Sequence, residues 1–293
     1  MQQQLLASML NFIKKYIYLS IALVAIFWSV FNSLEDPVHE RTEYVFAKKD
    51  YSFSTKQINE VKLKNLSRYR LKIEGKNRKS GMGTAFYIGH DLWLTARHVV
   101  DKCKRVLMQE ASKKRFIEKI LIHPNSDLAL FKHENSSSTN KFKVAPQILK
   151  SSFTTGFPGG NPGDATLSLA GFMAMEERSY NILEKHTIFA VLKKNPKTLA
   201  SFGGISGGPS FDDSGNLNGV IVTEFTRRGL LGAVGIEQIE WLMKTSEKGS
   251  YFSKDTNDKA ENYVMINVSQ ESFESVGKKL RHAGTVNQLF CLA

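Results

Sequence analysis

The chain has 293 residues, of which 42% are apolar and 23% charged, a balance that excludes a disordered polypeptide. Its 40 Lys and Arg against 28 Asp and Glu leave a net charge of +12. The 21 Gly and 7 Pro show no repeat period, and two cysteines, Cys103 and Cys291, are too few for a disulfide-stapled mini-protein or a four-cysteine zinc site.

Residues 1–15 end in Lys14 and Lys15 and are followed by an uncharged apolar run, Tyr16–Leu34. As a helix that run would be roughly 28 Å long, close to the ~30 Å hydrocarbon core of a bilayer. Positive charge before it, and Glu35 and Asp36 after it, predict a transmembrane anchor over residues 16–34 with a cytoplasmic N-terminus and an exported, periplasmic or extracellular, remainder. A cleaved signal peptide is the alternative, but bulky Phe31 interrupts the small-residue pattern that cleavage requires.

Residues 35–59 are polar and aperiodic and read as a linker. Lys56–Lys79 holds nine basic residues against two acids, the composition of a nucleic-acid or anionic-lipid binder. Val61, Leu63, Tyr69, Leu71 and Ile73 alternate with those charges, so the expectation is a half-buried strand with a solvated basic face, and nucleic acid is not an expected partner.

From residue 60 onward short apolar runs are broken by Gly, Pro, Asn and Asp. The clearest are Thr84–Ile88, Leu92–Ala96, Arg105–Met108, Phe116–Ile122, Leu128–Phe131, Thr166–Met173, Thr187–Leu192, Val220–Phe225 and Leu230–Gly235. Such spacing predicts an all-β barrel or sandwich over residues 60–245. Short helices are expected at Glu237–Lys244 and Glu271–His282, with a polar linker over Ser246–Glu261 between them. Residues 246–293 form a short α/β tail, with a strand-like Tyr263–Val268 and Ser269 as a helix cap. The sequence leaves open whether this tail docks on the barrel or covers a cleft.

Three blocks carry chemistry: Gly83–Ile88 with Leu94-Thr95-Ala96-Arg97-His98-Val99-Val100; His123-Pro124-Asn125-Ser126-Asp127-Leu128-Ala129-Leu130; and Gly203-Gly204-Ile205-Ser206-Gly207-Gly208-Pro209. A serine hydroxyl is a weak nucleophile near neutral pH. Hydrolysis needs a histidine to take its proton and a carboxylate to orient that histidine. Glycines beside Ser206 allow a sharp turn that leaves amide N–H groups aimed into one pocket. The other histidines, His39, His90, His123, His133, His186 and His282, read as structural.

In these blocks the sequence resembles the trypsin-like, chymotrypsin-fold serine peptidases, above all the bacterial secreted and HtrA-like members. The T-A-R-H, D-L-A-L and G-I-S-G-G-P segments follow the family order, and Gly156-Phe157-Pro158-Gly159-Gly160 matches its G-x-P turn. The resemblance implies two six-stranded antiparallel β-barrels with the site in the cleft between them. Ser206 would be the nucleophile, His98 the general base and Asp127 the orienting acid. The N–H groups of Gly204 and Ser206 would form the oxyanion hole, and no cofactor or metal would be needed. An α/β-hydrolase would also satisfy Gly204-Ile205-Ser206-Gly207-Gly208, but a turn-rich segment follows Ser206 where that fold needs a helix.

The departures are informative. Ile205 stands where zymogen-activated members carry Asp, so activity is expected without N-terminal processing. Ala200 occupies the position at the base of the primary specificity pocket, implying an apolar or medium-sized residue before the cut. Residues 246–293 are too few for the PDZ domain of HtrA-like enzymes. In an exported compartment Cys103 and Cys291 could pair or remain free thiols. The sequence therefore predicts a membrane-tethered serine endopeptidase acting on polypeptides. The rival from another class is a protease-fold binding module without turnover.

Overall fold

The structure is a computed structural model that describes Ile17, Ser20 and residues 41–47, 65–71, 80–134, 140–144, 151–177, 181–252, 262–264 and 266–293. The chain divides into two compact units, Met1–Glu40 and Arg41–Ala293, and among the described residues every strand belongs to the second. The anchor expected over residues 16–34 lies outside the described residues except for Ile17 and Ser20. Among the described residues no helix is long and apolar enough to cross a membrane.

Strands in chain order are β1 (Glu43–Phe46), β2 (Arg68–Leu71), β3 (Gly81–Gly89), β4 (Leu92–Ala96), β5 (Arg105–Glu110), β6 (Lys113–Ile117), β7 (Lys119–Ile122), β8 (Leu128–Lys132), β9 (Asn140–Lys141) and β10 (Lys143–Val144). They continue as β11 (Ser151–Gly156), β12 (Gly163–Glu177), β13 (Ile182–Asn195), β14 (Pro209–Phe211), β15 (Asn216–Phe225), β16 (Leu230–Gly235), β17 (Asn262–Tyr263) and β18 (Val286–Leu292). Helices are α1 (Arg97–Val100), α2 (Ile236–Lys248) and α3 (Phe273–His282). Of the basic stretch, Arg68–Leu71 is a strand paired parallel to β12; most of the remainder lies outside the described residues.

Two sheets organise the strands. In the order β15-β14-β11-β12-β13-β16 the second closes on itself through β15–β16 pairing, a six-stranded barrel. The first runs β1-β7-β8-β4-β3-β18-β5-β6 and remains open, an eight-stranded sheet curled into a half-barrel. The expectation of two closed six-stranded barrels is thus corrected to one closed barrel and one curled sheet. What nearly joins the open ends is a side chain. Thr42, just before β1, donates its N–H to Lys104 O at 3.1 Å, its hydroxyl donates to Ile117 O at 3.0 Å, and it accepts the Val106 N–H at 2.9 Å.

Local chemistry explains the hairpins. Gly89, His90 and Asp91 turn β3 into β4 with φ of 99°, 53° and 58°, a left-handed run that Gly, His and Asp tolerate better than branched residues. Trp93, Phe131, Tyr87 and Phe86 are fully buried behind this hairpin, with Trp93 stacked on Phe131 at 6.3 Å. The barrel interior holds Ala165, Leu167, Phe189, Phe202, Ile205, Ile221, Leu231 and Ala233.

Residues 246–293, expected as a tail, are built into the body of the fold, adding a strand to the curled sheet and a helix against the barrel. β18 lies between β3 and β5, antiparallel to each, and Cys291 on it forms a disulfide with Cys103. α3 packs on the barrel, where Arg281 forms a buried ion pair with Asp164 of β12. Ser272, not Ser269, precedes α3. The Ser269 hydroxyl accepts the N–H groups of Glu271 and Ser272, a turn that leads into the helix.

Candidate active site

β4 delivers His98. Its last residue, Ala96, leads into the single turn α1, whose Arg97 N–H donates to Asp127 O at 3.2 Å. Arg97 is 6% exposed, with its guanidinium 3.3 Å from Asp101 and over the Phe46 ring at 5.3 Å. One residue on, the His98 N–H donates to Asp127 Oδ1 at 2.8 Å, and the Nδ1 atom meets Asp127 Oδ2 at 2.6 Å. A carboxylate only accepts, so Nδ1 carries the proton and Nε2 is the basic nitrogen.

Asp127 sits in a closed loop between β7 and β8. His123 N–H donates to Leu128 O at 3.0 Å, and the His123 Nδ1 accepts the Asn125 N–H at 3.1 Å. His123 packs on Trp241 of α2, ring centroids 4.4 Å apart. Burial, and secondarily the Arg97 cation, push its pKa from 6.5 down to about 3.

Ser206 lies on a turn between Phe202 and Pro209. Ile205, immediately before it, is 2% exposed among the barrel core, so the apolar side chain pins the turn from below. Gly207 N–H donates to Ile221 O and Ile221 N–H to Gly208 O, joining the turn to β15. Thr84 of β3 binds it from the other sheet, donating its N–H to Ser206 O at 2.8 Å and its hydroxyl to Gly204 O at 2.9 Å. Gly207 is obligatory here. Its φ is +87°, and a Cβ would strike Thr84 O and Thr95 Oγ1 and stand 2.9 Å from Ala96 N, two residues before His98. The Ser206 turn is thereby packed against the strand end that carries His98.

The same bonds orient two amides. Gly203 O accepts the Gly159 N–H at 2.6 Å and Ile205 O accepts the Gly208 N–H at 2.8 Å. Because C=O and N–H point oppositely across a trans peptide, the N–H groups of Gly204 and Ser206 are turned away from those partners. Among the described residues neither of these two N–H groups donates to a backbone acceptor. Gly204 has φ +101°, and a Cβ there would stand 2.7 Å from Phe157 O, in the Gly156–Gly160 turn.

Ala200 is exposed, and its neighbour Ser201 donates to Glu224 Oε2 at 2.6 Å. Cys103, three residues after α1, is the disulfide partner of Cys291. Among the described residues no group of three or more His, Cys, Asp or Glu is placed to hold a metal.

Sequence reasoning missed Glu184 of β13. Its Oε2 accepts the Ser126 hydroxyl at 2.6 Å and its Oε1 the Asp127 N–H at 2.9 Å. The signal was present in the alternation Ile182, Glu184, His186, Ile188, which puts an acid and a histidine in phase with buried isoleucines.

Residues 83–220 match the family model of the trypsin-like peptidase domain. No curated protein matches the chain. Among solved structures, the active form of the Rv3671c protease from M. tuberculosis is 16% identical with a TM-score of 0.48, covering 61% of this chain and 77% of that one. The serine endoprotease from Yersinia pestis is 16% identical with a TM-score of 0.41, covering 58% and 63%. The MamO protease domain from Magnetospirillum magneticum is 17% identical with a TM-score of 0.42, covering 55% and 93%. The family match spans the strand before His98, the Asp127 loop and the Ser206 turn, and it identifies residues 83–220 as a trypsin-like peptidase domain.

Proposed function

We propose that the chain is a membrane-tethered, exported serine endopeptidase working through Ser206, His98 and Asp127. The observation that carries this reading is the Asp127 carboxylate: one oxygen holds the His98 backbone N–H at 2.8 Å and the other the ring Nδ1 at 2.6 Å. Backbone and ring are thus fixed by one group, and the basic Nε2 is left to take the Ser206 proton as the hydroxyl oxygen attacks the peptide carbonyl. Negative charge then develops on the carbonyl oxygen, and the N–H groups of Gly204 and Ser206 would stabilise it, a contribution of roughly 3–4 kcal/mol per donor. The imidazolium returns its proton to the leaving amine, giving an acyl-enzyme. Water activated by His98 releases the product and restores Ser206.

Export is supported by the charge asymmetry around residues 16–34 and by the Cys103–Cys291 disulfide, a bond that persists in oxidising compartments. Uncharged Ala200 supports an apolar or medium-sized residue before the cut. A peptide library in which Lys or Arg is preferred there would move that selection to Glu224.

The test is labelling by a fluorophosphonate probe of a chain beginning near residue 36 and of its Ser206→Ala variant. Labelling of the parent alone establishes an activated serine. A folded parent that takes no label sinks this reading in favour of a binding module.

A further inference from the structure

We propose that Glu184 is a positioning residue for catalysis, gripping the Asp127 loop from the opposite sheet; the inference rests on the proposed function. Asp127 sits in the loop that leads into β8 of the curled sheet, and Glu184 lies on β13 of the closed barrel. Both Glu184 oxygens are spent on two consecutive residues, the Ser126 hydroxyl at 2.6 Å and the Asp127 N–H at 2.9 Å. Ser126, Asp127 and Glu184 are all buried. His186 lies two residues along the same strand face, its Nε2 3.2 Å from Glu184 Oε1 but without hydrogen-bond geometry. The chain of contacts therefore runs from Glu184 to the Asp127 amide, and from the Asp127 carboxyl to His98.

An apolar side chain in phase with Ile182 and Ile188 would avoid the desolvation of a carboxylate, but it would leave the buried Ser126 hydroxyl and Asp127 N–H without an acceptor. What the carboxylate supplies instead is a fixed pivot. With the Asp127 amide held, the only freedom left to its side chain is rotation, and both carboxyl oxygens are already engaged by His98. A catalytic group displaced by a fraction of an ångström loses rate without losing substrate binding.

The experiment compares the parent with Glu184→Gln and Ser126→Ala, reading kcat and KM on a peptide substrate and the low-field proton resonance of His98 Nδ1–H. In Glu184→Gln one oxygen acceptor becomes a donor facing a donor. We expect kcat to fall about tenfold or more at a KM within about twofold of the parent, with the His98 resonance shifted or broadened. Ser126→Ala keeps the Asp127 amide bond and should cost kcat only about threefold. A folded Glu184→Gln with parental kcat and an unmoved resonance overturns the proposal. If that variant does not fold, Ser126→Ala decides alone: lower kcat at unchanged KM supports the grip, and parental kcat refutes it. Should the parent itself show no Ser206 labelling, the catalytic reading fails separately. The resonance, which needs no turnover, then still reports whether Glu184 orders the Asp127–His98 pair.

Discussion

At the scale of single residues, the site is a set of acceptors and donors in which a one-atom change reverses a bond. Asp127→Asn would place an amide N–H against His98 Nδ1 or force the proton onto Nε2, the wrong tautomer for a base. A fall in kcat of about 10⁴-fold with KM little changed is expected, measured on a chromogenic peptide. His123 gives a second prediction. The unfolded chain takes up this proton near pH 6.5 and the folded chain only near 3, so between those values the unfolded state binds more protons. Stability is full above about pH 6.5 and falls by about 1.4 kcal/mol per unit as pH drops toward 3. Urea midpoints between pH 7 and 4 should show that slope, and His123→Asn, whose side-chain oxygen can accept the Asn125 N–H, should flatten it.

At the scale of elements, two connections made by the last fifty residues hold the fold. The disulfide closes a loop with a sequence separation of 188 residues. Replacing both cysteines by serine should cost about 2–5 kcal/mol, read from urea melts of each protein. α3 meets β12 with almost no gap, since a Cβ on Gly277 would strike the Asp164 carboxyl that Arg281 holds. Gly277→Ala should therefore destabilise despite its higher helix propensity. A drop of about 3 kcal/mol or more is expected, because the shift it forces disturbs a buried ion pair. A gain in thermal midpoint would show that α3 can move outward freely.

At the scale of the whole molecule, the C-terminal strand sits inside the curled sheet, bonded to β3 on one side and β5 on the other. A chain ended at residue 250 would lose that strand, α3 and the disulfide together. It should fail to fold, with no near-ultraviolet circular dichroism, rather than expose a covered cleft. The sequence alone determined the three motif blocks, their order and the β-rich body, because a glycine-flanked serine, a histidine after an apolar strand and an aspartate in a Pro-Asn-Ser turn are local signals. Ile236–Lys248 and Phe273–His282 overlap the short helices expected at Glu237–Lys244 and Glu271–His282, although the first runs on to Lys248, inside the stretch expected as a linker. Tertiary structure alone decided that the first sheet stays open, that β18 reaches back to β3, and that Glu184 grips Asp127. Those facts depend on pairings between residues 57 to more than 200 positions apart, and alternation along a strand records which face is buried but not which partner buries it.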